Sequence, residues 1–159
     1  MLGWVRLPHA SANEYFGFSV LDFGLYIFRM TETEFKERTK QIALRIIKPV
    51  ESLPSTWSAE IIGKQLLRSG TSVGANYRAV CRGKSTADVI HKLAIVEEEA
   101  DETLYWMELL IDSKIVPGKK LIVLMSDVNE IVAMTVASIQ TMRRKQRSQS
   151  KIENPKSKI

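Results

Sequence analysis

Residues 69–85 read SGTSVGANYRAVCRGKS, with glycines at 70, 74 and 83 and a closing Gly83-Lys84-Ser85. That triplet ends a phosphate-binding loop, but such a loop also needs a glycine five residues before Gly83 and a buried strand leading into it. Arg78 occupies the glycine position, and the residues upstream, IIGKQLLRSGTSVGANYRAV, place apolar side chains at helical spacing. The stretch is therefore a helix, a turn and the start of a second helix. Gly83 falls where a helix-ending glycine is expected, and Ser85 followed by Asp88 has the pattern of an N-terminal cap. Gly70 and Gly74 are four apart and so share a face with other small residues. Each costs about 1 kcal/mol of helix propensity relative to alanine. Close packing against another helix, within the subunit or between subunits, offsets that cost.

Four helices follow from extending this reading in both directions. The first is predicted from about Thr33 to Leu53, capped by Thr31 or Thr33, with Phe35, Ile42, Ile46 and Leu53 on one stripe. Pro49 should kink or end it, because proline lacks an N–H and clashes with the preceding turn. After the LPST loop, with Ser55 or Ser58 as the cap, the second helix runs from about Trp57 to Arg82. The third, Thr86–Ser113, carries Val89, Leu93, Val96, Ala100, Thr103, Met107 and Leu110 at alternating steps of four and three, the seam of a left-handed bundle. VPGKK (116–120) is a turn. The fourth starts at Lys119 or Lys120 and runs to about Lys145 along Leu121, Leu124, Val128, Ile131, Thr135, Ser138 and Met142. Short connections between four such helices predict an all-α, up-down-up-down antiparallel four-helix bundle over residues 30–145.

The flanks differ from this middle. Residues 1–29 scatter aromatics and glycines without a helical period and lack the order of a signal peptide. They are read as a poorly ordered N-terminal extension, with the functional chain beginning at Met30. Residues 146–159 are read as a basic flexible tail. The net charge of +5 is concentrated there, since Arg143–Ile159 holds seven Lys/Arg against Glu153 alone. The single cysteine, Cys81, suits a reducing cytoplasm and excludes an intramolecular disulfide. No run approaches the roughly 18 consecutive apolar residues of a membrane span.

No constellation in the chain demands catalysis or a cofactor. The carboxylates of Glu97–Glu102 invite a di-metal reading, yet the one histidine in the bundle, His91, pairs at spacing three with Asp88 alone. The acids are expected to face outward, toward solvent or another subunit. Cys81 has no histidine near it in sequence and is read as a small packed residue. Nothing in their spacing unites Ser69 and His91 with an acid. No catalytic, metal or cofactor residue is assigned.

The basic residues are more informative. Lys64 and Arg68 lie four apart, as do Arg78 and Arg82, with Lys84 following and Tyr77 between them for stacking on a base. With Arg143, Arg144, Lys145 and Arg147 they form the nucleic-acid contact set. The same stripe could instead pair with the acidic third helix. Trp106 lies beside the seam and marks a second apolar surface; with Gly70 and Gly74 it makes up the helix-packing and assembly set.

Over Gly63–Leu110, GKQLLRSGTSVGANYRAVCRGKSTADVIHKLAIVEEEADETLYWMELL, the chain resembles a known family. These are the bacterial four-helix-bundle proteins related to those encoded within intervening sequences of 23S rRNA genes. The match is sharpest at Leu66–Ser69, at Ser72–Tyr77 and from Glu97 to Leu110, and weaker similarity extends from about Phe35 to Arg144. The resemblance implies a helical bundle without catalysis that assembles into a homopentameric ring. It also implies nucleic-acid binding, as in the accessory proteins of diversity-generating retroelements, which bind RNA or DNA through a basic ring surface and work with a reverse transcriptase. The chain departs from the family pattern at Pro49 and at Val80-Cys81. The expectation is thus a non-enzymatic, oligomeric, RNA-associated bundle, with a protein–protein adaptor that binds no nucleic acid as the alternative.

Overall fold

A computed structural model describes residues 30–153, with side-chain surroundings defined through residue 150. The N-terminal extension read into residues 1–29 lies outside the described residues. Among the described residues there are four helices, α1 (Glu32–Glu51), α2 (Trp57–Val80), α3 (Thr86–Asp112) and α4 (Ile122–Glu153), with a 3-10 turn at Gly118–Lys120 before the last. Contacts run α1 to α2, α2 to α3, α3 to α4 and back from α4 to α1, which is the neighbour order of an up-down-up-down bundle. The all-α fold class expected from the sequence is borne out.

The core follows the predicted stripes with two local shifts. On α3, Leu93, Val96, Ala100, Thr103, Met107 and Leu110 are buried as expected, but Ile90 takes the first core position instead of Val89. Val89 turns toward the preceding connection, where its Cγ2 lies 2.3 Å from the point a Cβ on Gly83 would occupy. Leu121 just before α4 and Leu124, Val128, Ile131 and Thr135 on it are buried, and Met134 and Ile139 join them, whereas Ser138 and Met142 are half-buried. A straight helix has 3.6 residues per turn, so a strict 3.5 pattern drifts round it and a neighbouring residue takes over. By length and composition α4 is also apolar enough to cross a membrane, with mean hydropathy 1.6 in its best window. A core helix of a bundle meets the same test, and α4 places its apolar stripe in this core.

The helix ends show where local signals were right and where they misled. Ser85 accepts from the Asp88 N–H at 3.2 Å, so the predicted cap is formed, and the Asp88 carboxylate reaches back past the cap residue to accept from the Lys84 N–H at 2.9 Å. At α2 the cap position is Thr56, not Ser55 or Ser58, and it makes no side-chain cap bond. Helix α1 ends at Glu51, two residues after Pro49, leaving Leu53 half-buried beyond it. No described glycine has positive φ; Lys114, just after α3, has φ 59° instead. Gly83 is therefore required by the space that Val89 fills, and not by a left-handed backbone. Helix α4 continues to Glu153, well past the Lys145 end expected from its apolar stripe. Residues 143–150 of this stretch are all exposed, so helix propensity rather than packing sustains it.

The small face of α2 lies against α1. A Cβ on Gly70 would stand 2.2 Å from Ile46 Cδ1, whereas one on Gly74 would meet Thr39 at 3.4 Å. Ile46 and Thr39 are both fully buried. Ser69 and Thr103, also buried, join α2 to α3 through a hydroxyl–hydroxyl hydrogen bond of 3.1 Å. Gly70→Ala should lower stability by about 1–3 kcal/mol through overpacking, and adding Ile46→Val, which removes the clashing methyl, should recover part of it. Gly74→Ala should be neutral or stabilising by up to about 1 kcal/mol, because it gains helix propensity without a clash. Urea unfolding followed by circular dichroism measures all three.

Candidate nucleic-acid interface

The antiparallel alternation of the helices sorts the predicted basic residues by height. Phe35 near the start of α1 meets Tyr77 near the end of α2, and Arg68 midway along α2 meets Glu102 midway along α3. Helix α4 runs against α3, so its C-terminal part reaches the end of the bundle where α2 finishes and α3 begins. Arg78, Arg82 and Lys84 therefore share one end with Arg143, Arg144, Lys145 and Arg147, although some 60 residues separate the two groups in sequence. All seven are exposed, and none has a side-chain ion pair among the described residues. From Ile139, the last buried residue of α4, to Glu153 the helix rises about 20 Å at 1.5 Å per residue, so its basic turns project beyond the core.

The other members of the predicted set lie elsewhere. Lys64 is in the first third of α2, toward the opposite end of the bundle. Arg68 is engaged by α3: its guanidinium pairs with Glu102 and lies 3.4 Å from Glu99. Arg68 holds the Glu102 carboxyl below its ordinary pKa, helped by the Trp106 indole N–H, which donates to it at 2.9 Å. Burial pushes the Glu99 carboxyl the other way, and Arg68 offsets part of that rise. Arg68 thus ties α2 to α3, and Lys64 and Arg68 lie away from the end of α2 that carries Arg78 and Arg82. Trp106 is half-buried over this tie, with its ring edge-on to the exposed Tyr105 at 5.0 Å between centroids.

Tyr77, the residue expected to stack on a base, packs against another helix. Its ring lies against Phe35 with centroids 4.1 Å apart, and burial pushes its hydroxyl pKa up to about 12. One face of this half-buried ring is thus taken by Phe35. Cys81 donates its thiol to the Tyr77 carbonyl at 3.2 Å, and burial raises the thiol pKa. Ser69 is fully buried while His91 is exposed, so the two do not meet. Asp88 is occupied by Lys92 at 2.7 Å and by the Lys84 N–H. Among the described residues no three His, Cys, Asp or Glu side chains gather as a metal site would require.

Sequence reasoning missed the edge between α1 and α4, the sparsest contact around the bundle. Arg38 pairs there with Glu130 and approaches Asp127 at 4.0 Å, and Arg45 also pairs with Asp127. No spacing rule could reveal these pairs, which join residues more than 80 positions apart; the only trace in the sequence is two arginines seven apart beside the apolar stripe of α1.

These features define an antiparallel helical bundle with a basic end and an acidic helix tied to α2 through Arg68. The chain belongs to the 23S rRNA-intervening sequence protein family, whose model matches residues 31–137. A solved structure from the S23 ribosomal protein family of Bacteroides thetaiotaomicron, a protein of unknown function, is 35% identical with a TM-score of 0.64. That similarity covers 70% of this chain and 99% of the other. A comparison with curated proteins gave no match.

The carboxylate Glu102 gives the tie between α2 and α3 a pH signature. A depressed carboxyl pKa adds stability above its unfolded value, and that contribution is lost as pH falls through the folded value. Glu102→Gln should therefore be less stable than the parent chain at pH 7, and the gap should close as pH falls below about 4.3, the ordinary glutamate value. Thermal unfolding at a series of pH values measures this.

Proposed function

We propose that this protein is a non-enzymatic, self-associating helical module that binds nucleic acid, RNA in particular, through the basic end of its bundle. One observation supports the proposal: two basic clusters distant in sequence lie at the same end of the bundle, exposed and without a side-chain ion pair among the described residues. Phosphate contacts depend on such uncompensated charge, because binding is driven largely by counterion release. The projecting turns of α4 add a helical arm on which Arg143, Arg144 and Arg147 extend into solvent. Membership in a family named for intervening sequences of 23S rRNA is consistent with an RNA partner. Self-association, as a ring by family resemblance, would repeat the basic end around an axis and multiply weak phosphate contacts.

The adaptor reading has its own support in Arg68, whose pairing with Glu99 and Glu102 neutralises part of the basic stripe within the chain. The two readings diverge on the remaining cations. In a mobility-shift titration with a structured RNA, Arg78→Ala/Arg82→Ala and Arg143→Ala/Arg144→Ala should each weaken binding. Each lost phosphate contact should flatten the dependence of log affinity on log salt by about 1. Tyr77→Phe and Lys64→Ala should bind like the parent chain. Absence of binding by the parent chain at low salt, or full binding by both double variants, would overturn the nucleic-acid reading.

A further inference from the structure

Two outer faces of the bundle carry complementary charge around one exposed apolar side chain. On α1, Lys40, Leu44 and Lys48 follow at steps of four and so line one face, and Leu44 is 46% exposed. On α3, Asp101, Tyr105 and Glu108 follow at steps of four and three, and Tyr105 is 51% exposed. At 1.5 Å per residue the first trio spans about 12 Å and the second about 10.5 Å. Lys40 has one long contact, 4.0 Å to the exposed Glu37. Lys48, Asp101 and Glu108 form no side-chain ion pair among the described residues.

These faces cannot meet within one copy. Helices α1 and α3 are each flanked by α2 and α4, so they sit diagonally across the bundle with their outer faces pointing apart. We infer that the Lys40-Leu44-Lys48 face of α1 in one copy docks on the Asp101-Tyr105-Glu108 face of α3 in a second copy. Laid side by side, the faces bring a lysine to a carboxylate on each side of a Leu44–Tyr105 contact. The apolar pair then forms the buried centre and the ion pairs form the rim, the usual arrangement of a protein interface. Either face set against its own copy would instead oppose like charges, which disfavours a two-fold contact. A contact between two different faces leaves one free face at each end, so it propagates until a ring closes or a filament grows.

The inference rests on the self-association proposed above, and light scattering on the full chain separates the two. The parent chain should elute as an oligomer. Lys40→Glu/Lys48→Glu and Asp101→Lys/Glu108→Lys should each fall to the 18.0 kDa of one chain, because both faces of each variant then carry the same sign. All four positions are exposed, and unchanged circular dichroism would confirm that the variants fold. An equimolar mixture of the two should re-associate, since each reversed face then meets its opposite on the other chain. A chain carrying all four reversals should regain the parent mass. An oligomer that survives both double variants, or a mixture that stays monomeric, overturns this interface while self-association stands. A parent chain that is monomeric at every concentration overturns both.

Discussion

The approach of α1 to α2 at Gly70 is the contact on which the rest of the bundle depends. Ile46 fills the space that any larger residue at position 70 would need, and Thr39 lies beside Gly74 about one turn further along α2. With α1 seated this closely, Phe35 is carried against Tyr77 and the apolar stripe of α1 is committed to the core. The remaining faces of α1 are then determined by helical geometry. Arg38 and Arg45 fall toward α4, where Asp127 and Glu130 receive them, and Lys40, Leu44 and Lys48 are left outside.

Charge is distributed unevenly once the helices are in place. Acidic residues dominate the middle of α3, and the cations that face them from α2 are neutralised locally, as Arg68 is by Glu99 and Glu102. The cations at the end of α2 form no side-chain ion pair among the described residues, and neither do those on the last turns of α4. A nearly neutral bundle thereby acquires a basic end without an exceptional composition. Solvent-exposed pairs contribute little stability each, so the pairing matters more for which charges stay available than for holding the fold.

Much of the fold was legible in local pattern. The seam of α3 could be read because apolar side chains recur at steps the helix dictates, and the Ser85 cap because its partner lies three residues away. Gly83 and Tyr77 were harder. Gly83 sits at a helix end, which suggests a left-handed backbone, yet its constraint comes from the Val89 side chain. Tyr77 lies among arginines, which suggests an exposed ring, yet its neighbour Phe35 comes from another helix. In both cases the deciding atom belongs to a residue whose position is set by packing.

The sequence alone determined the helices, their order and their apolar faces, because these depend on spacing within a few residues and on turn chemistry. Only the tertiary structure decided which cations are neutralised, which aromatic rings are covered and which charges gather at one end. Coulombic pairing and close packing act through space over a few ångströms, and antiparallel folding brings within that range residues that the chain holds 30 to 90 positions apart.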